Sequence, residues 1–362
     1  MSETYRDSNG NNVEPRPHRF FNSCLLILCG FALAGILLFV TLFIIIGSLS
    51  SGIGSIAEQL TATKTKSLGD KYEYNYVSGI EDAKETILIV QINGIIVNRL
   101  ESSFGSTHQY TAADEVCEIL DLAALDSTVR AVVISIDSPG GEVVASDRIY
   151  RAILNLRRNR TPVIAQMGSL AASGGYYIAA GCDYIIANPM TTTGSIGVIM
   201  SALKYYELMA KIGVSTENYT SGRMKDMLSG SRPTGIEEKT LVQQHINAVY
   251  EQFVQVVAEG RSGLTVEKIK NSEIGDGRIF LGTQALQLGM VDELGYEKDA
   301  ELKAVKMANL KEYKVVRVRR GFSLKNLLMS AESTSKLNIA LPGVAPYRLE
   351  AGKLYFLPDF QQ

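Results

Sequence analysis

AVVISIDSPGGE, residues 131–142, carries a near-continuous apolar segment directly into a glycine turn. A strand that is apolar at successive positions has both faces covered, the condition of a central strand in a parallel sheet. Its neighbours extend the pattern. A helix follows over 142–158, and upstream TILIVQINGIIV (86–97) predicts a buried strand and ADEVCEILDLAAL (113–125) an amphipathic helix. Downstream come a strand at 162–167, a short helix from Ser173 and a strand from Tyr184 to Ala187. Strands alternating with helices in this way predict parallel βαβ units and an α/β fold. VSTENY (214–219) is expected to be a further strand. From Gly235 to Glu259, Leu241, Val242, Ile246, Val249, Phe253 and Val257 recur at helical spacing and predict a long amphipathic helix. The last 45 residues are the least readable, and no repeat of domain size is present.

The composition is that of a globular chain: 362 residues, 46% hydrophobic and 20% charged. A formal net charge of -2 and no run of Lys and Arg argue against nucleic acid as a partner. The exception is Phe20 to Ile46, 27 residues without a charged side chain, long enough to cross a bilayer as a tilted helix. A cleaved signal peptide would have an apolar core of about 7 to 15 residues, so an uncleaved anchor is expected. Arg16 and Arg19 precede the span, and no charge follows it until Glu58, which places the N-terminus in the cytoplasm and the remainder outside it. The expected organisation is a cytoplasmic tail (1–19), a transmembrane helix (20–46), a linker (47–84) and a globular domain from residue 85.

Metal chemistry has no support in the spacing. His18, His108 and His245 form no cluster with cysteines or carboxylates. Cys24 and Cys29 fall in the span, leaving Cys117 and Cys182 as the pair that could form a disulfide.

Three glycine-rich turns each follow an apolar strand: SPGGE (138–142), GSLAASGGYYIAAG (168–181) and TTTGSIGV (191–198). In an open parallel sheet the loops at the carboxyl ends of strands line the ligand crevice, so the three turns are expected to converge. Any one of them alone is ordinary backbone punctuation. No Lys-Ser or Lys-Thr pair of a phosphate-binding loop follows, and the dinucleotide fingerprint is missing. Together the turns make Ser173 a candidate nucleophile, with the amides of Gly174 and of Gly140 or Gly141 aimed at an oxyanion. A serine hydroxyl needs a base. The three histidines are poorly placed, and a lysine serves only if its pKa of about 10.4 is brought toward neutrality. Lys225, between two methionines in TSGRMKDMLSGSRP (220–233), is a candidate, although composition alone makes it an ordinary exposed loop lysine.

ASGGYYIA, TGSIGV, SGRMKDMLS and GRIFLGTQALQLGMVDELG (277–295) together resemble the signal peptide peptidase A family, in order and at compatible spacing over about residues 85–300. The resemblance implies a Clp protease/crotonase-like βαβ spiral domain over 85–300, followed by a C-terminal extension (301–362). It implies Ser173 as nucleophile, Lys225, 52 positions later, as general base, and Ser195 as the residue that holds the lysine amine. It further implies a homo-oligomeric ring whose sites combine serine and lysine from adjacent chains, remnant signal peptides as substrates, the bacterial cytoplasmic membrane as location, and no metal or organic cofactor. Two other readings use the same fold: a crotonase-type acyl-thioester enzyme, which needs no lysine base, and an inactive membrane scaffold. The presence of Ser173, Ser195 and Lys225 together argues against the scaffold.

Overall fold

The computed structural model describes residues 72–99, 110–320 and 355–356. The expected tail and transmembrane helix (1–46) lie outside the described residues, as does His108, and among the described residues no helix is long and apolar enough to cross a membrane.

The central strands are β1 (Tyr72–Gly79), β2 (Thr86–Val97), β4 (Val129–Glu142), β5 (Val163–Ala172), β6 (Tyr184–Ala187), β9 (Glu293–Leu294) and β10 (Lys314–Arg320). They run side by side in the order β1-β10-β2-β4-β5-β6-β9 within one mixed sheet. All neighbours in this series are parallel except β1, which is antiparallel to β10. The apolar runs read from sequence are strands buried on both faces, and alternate residues explain how. Leu88, Val90, Ile92, Val132, Ile134 and Ile136 enter one core with α1 (Ala113–Leu125), α2 (Val143–Arg158), α3 (Gly174–Ala180) and α5 (Ile236–Gly260). Ile87, Ile89, Ala131 and Val133 enter a second core, closed by Ala300 and Ala304 of α8 (Glu297–Ala308). Successive side chains of a strand point to opposite faces, so a strand with helices on both sides must be apolar throughout.

The folded domain therefore extends past 85–300 at both ends. Residues 72–79, expected as linker, are β1, and β10, within the expected C-terminal extension, sits between β1 and β2 in the sheet. A second difference concerns VSTENY, which forms no strand: residues 214–220 are irregular and exposed, with α4 (Tyr206–Lys211) just before them. The period-two pattern had no neighbouring strand to pair with.

Register shifts between Asn93 and Ile95 and between Ile136 and Ser138 interrupt the main ladders. Beyond them the strand ends acquire new neighbours. β2 pairs there with β3 (Tyr110–Ala112), and Leu170–Ala172 of β5 pairs with β7 (Thr192–Gly194), which in turn pairs antiparallel with β8 (Ile279–Leu281). β11 (Tyr355–Phe356) lies antiparallel to Gly141 and Glu142 at the end of β4. The three glycine turns are in this second set of pairings.

Candidate active site

Ser173 is the single residue between β5 and α3 and is fully buried. Its backbone is at φ 52° and ψ -112°, outside the regions comfortable for a residue with a side chain. Two bonds impose that conformation: the Ser173 amide donates to the Gly194 carbonyl at 2.8 Å, and its carbonyl accepts from Tyr177 N–H at 2.8 Å. Strain of this kind costs about 1–3 kcal/mol and persists only where the surroundings over-determine it. The helix that accepts this strain, α3, is pinned by aromatic packing. Tyr177, on α3, packs edge-on between Tyr150 and Phe253 with ring centres 5.3 and 5.1 Å away, and its hydroxyl donates to Asp147 Oδ1 at 2.8 Å. Burial and that hydrogen bond to a carboxylate push the Tyr177 hydroxyl far above its ordinary pKa, so it stays a neutral donor. In contrast, Ser173 Oγ is buried and has no hydrogen-bond partner among the described residues. A buried hydroxyl without a partner is costly and calls for a functional account.

The first turn lies directly against it. Ser138, also fully buried, donates through Oγ to the Gly94 carbonyl at 2.6 Å and accepts the Gly140 amide at 3.0 Å. The Gly140 N–H is thus engaged within its own turn. The Gly141 nitrogen is 3.1 Å from the point where a Cβ on Gly174 would sit, and Ser146 Oγ is 2.6 Å from the same point. The two turns touch because position 174 has no side chain. Replacing Gly174 with Ala would put the new methyl against the Gly141 amide; acyl transfer that uses this amide as an oxyanion donor is expected to slow about 100-fold. Steady-state kinetics of the Gly174→Ala protein measure this, and parental kinetics would show that the turns need not touch.

Ser195 is brought beside Ser173 by the backbone, since it follows Gly194, whose carbonyl holds the Ser173 amide. It too is buried and at positive φ, 51°, with its own amide donating to the Arg278 carbonyl at 2.8 Å. Phe280 closes on Gly194, which ties the GRIFLG stretch to the serine turn. Lys225 is not brought in. It is exposed, its amide donates to the Gly222 carbonyl at 2.9 Å, and no contact among the described residues joins it to Ser173 or Ser195. His245 is exposed on α5. Cys117 and Cys182 are separate thiols, with burial pushing Cys117 up to about 11. Ser138 and Ser146 went unnoticed in the sequence. A small hydroxyl in a turn or on a helix has no spacing signal, and only packing shows which atoms it bridges.

Residues 155–311 match the model for Peptidase family S49, and residues 84–194 match the model for Clp protease. The two overlap over residues 155–194, which include the Ser173 turn, and both are models of peptidases. Within that class the resemblance to the signal peptide peptidase A family holds. The chain is 38% identical over 218 residues to "Putative signal peptide peptidase SppA" of Enterococcus faecium, covering 60% of this chain and 62% of the relative. "Protease 4" of Haemophilus influenzae is 32% identical over 226 residues (62% of this chain, 35% of the relative). "Serine protease SPPA, chloroplastic" of Arabidopsis thaliana is 32% identical over 265 residues (71% and 38%). The chain thus spans under two thirds of the length of each.

Proposed function

We propose that the chain is a membrane-anchored serine endopeptidase that degrades cleaved signal peptides through a Ser173–Lys225 dyad. The observation that carries this reading is Ser173 itself: a buried, strained hydroxyl without a partner, set against a glycine turn. In the proposed cycle the neutral Lys225 amine takes the Ser173 proton as Oγ attacks the peptide carbonyl, and Ser195 orients that amine. The amides of Gly174 and Gly141 stabilise the tetrahedral oxyanion. Collapse breaks the C–N bond, Lys225 returns the proton to the leaving amine, and an ester to Ser173 remains. A water molecule, deprotonated by Lys225, then hydrolyses that ester.

Because Lys225 is exposed within one chain, the dyad is proposed to form between adjacent chains of a homo-oligomeric ring. Burial between chains favours the neutral amine that a base requires. The segment that carries Lys225 supports this: between residues 203 and 236, Leu203 (81% exposed), Leu208, Ile212 and Ile236 (86% exposed) are large apolar side chains open to solvent. The apolar stripe of α5 follows suit, buried at Phe253 and Val257 but exposed at Leu241. Peptide substrates are supported by the end of β4, where an extended segment already pairs antiparallel with Gly141 and Glu142. Main-chain pairing of this type presents a peptide irrespective of most side chains. The proposed location is the bacterial cytoplasmic membrane, with residues 1–19 inside and residues 85–300 outside.

The test is labelling and cleavage by the detergent-solubilised full chain. A fluorophosphonate is expected to modify the parent and not Ser173→Ala, and a synthetic signal peptide is expected to be cut in its apolar core. Equal labelling of both proteins would overturn the assignment of the nucleophile, and an intact signal peptide in the presence of an active enzyme would overturn the substrate class.

A further inference from the structure

Lys225 lies in a run of charges, Arg223, Lys225 and Asp226, of which Arg223 pairs with Glu237 of α5 and Asp226 with Arg232, which itself reaches Glu238 of α5. On one side of the lysine, Arg223 forks onto Glu237, with Nη2 2.7 Å from Oε1, but this pair is open to solvent and contributes little. On the other side the contact is more enclosed. Arg232 Nε donates to Asp226 Oδ2 at 2.8 Å and Nη2 to Oδ1 at 2.7 Å, with a further bond from Nη2 to the Asp226 carbonyl at 3.2 Å. The same Nη2 bonds to Oε1 of Glu238, a buried residue whose second oxygen accepts the Gly235 amide at 3.2 Å in the first turn of α5. Both oxygens of Asp226 therefore accept from the one guanidinium, and the arginine lowers that carboxyl below its usual range. Lys225 has no ion-pair partner among the described residues.

We propose that Arg232 is a positioning residue for Lys225: by bridging Asp226 and Glu238 it straps the lysine loop to the N-terminus of α5. This rests on the Ser-Lys reading above. The planar guanidinium reaches both carboxylates at once, which an ammonium at the same position does not. A base held by a loop must be placed closely, since a misplacement of about 1 Å costs on the order of 100-fold in rate.

The test compares full-chain Arg232→Gln, Arg232→Lys, Asp226→Asn and Lys225→Ala in peptide hydrolysis, with the oligomer size of each measured by light scattering. Arg232→Gln is expected to lower kcat about 10- to 100-fold with KM within about two-fold of the parent and the oligomer unchanged. Arg232→Lys is expected to regain part of kcat. Asp226→Asn, which removes the strap from its other end, is expected to lose kcat similarly, and the double variant Arg232→Gln/Asp226→Asn to be no worse than either single change. If Arg232→Gln fails to assemble, the Asp226→Asn result decides. Parental kcat in Arg232→Gln or Asp226→Asn beside an inactive Lys225→Ala would overturn the positioning role and leave the dyad standing. Activity in Lys225→Ala would remove the dyad and the proposal together.

Discussion

Co-expressed Ser173→Ala and Lys225→Ala chains are expected to assemble into oligomers with about a quarter of the parental peptidase activity, although each variant alone is inactive. The fraction follows from the proposed geometry. In a ring with head-to-tail interfaces, each site takes its serine from one chain and its lysine from the next. A site is intact only where a Lys225→Ala chain supplies Ser173 and a Ser173→Ala chain supplies Lys225, which random mixing at equal amounts produces at about one interface in four. Each single variant is expected to lose about 10⁴-fold or more, because nucleophile and base act as a unit and either loss removes both. The exposure of Lys225 and the unpartnered Ser173 Oγ within one chain motivate the experiment. A mixture that co-assembles and stays inactive would place the dyad within a single chain, and undiminished activity in either variant would remove the Ser-Lys assignment altogether.

The second large effect is expected at Gly141. A Cβ there would sit 1.9 Å from the Ile96 carbonyl oxygen and 2.6 Å from the Ile96 carbon and nitrogen, so β4 has to move away from β2 to admit even a methyl group. Overpacking in a close-packed interior costs about 1–3 kcal/mol. The displaced atom also matters for chemistry. The Gly141 amide faces the Ser173 turn across Gly174, while the neighbouring Gly140 amide is already bonded to Ser138. Gly141→Ala is expected to lower kcat/KM by about 10²- to 10³-fold, the effect of losing an oxyanion donor, together with a reduced urea midpoint. A protein with the reduced midpoint and parental kinetics would show that the amide is not used.

The parts of the fold that were legible are those packed into the central core. TILIVQINGIIV is β2 to the residue because a strand covered on both faces is apolar nearly throughout, and ADEVCEILDLAAL is α1 to the residue because its one covered face keeps apolar residues at helical spacing. The parts that were not legible are the outermost strand of the sheet and its neighbour. β1, YEYNYVSG, and β10, KVVRVRR, mix charged and polar residues with their apolar ones, and their pairing partners are more than 200 residues apart in the chain. Nothing local marks such a pair.

The site divides in the same way. Sequence by itself determined that Ser173 stands among small residues at the end of a buried strand, and that two further glycine turns follow strands of the same sheet; these are consequences of local composition and of the parallel alternation. Tertiary structure decided which atoms meet: that Ser195 is drawn beside Ser173 through the Gly194 carbonyl, that Ser138 engages Gly140, and that Lys225 stays on the surface of its own chain. Each of these depends on hydrogen bonds and close backbone approaches between segments distant in the chain. Spacing along a sequence carries no measure of the distances at which such contacts form.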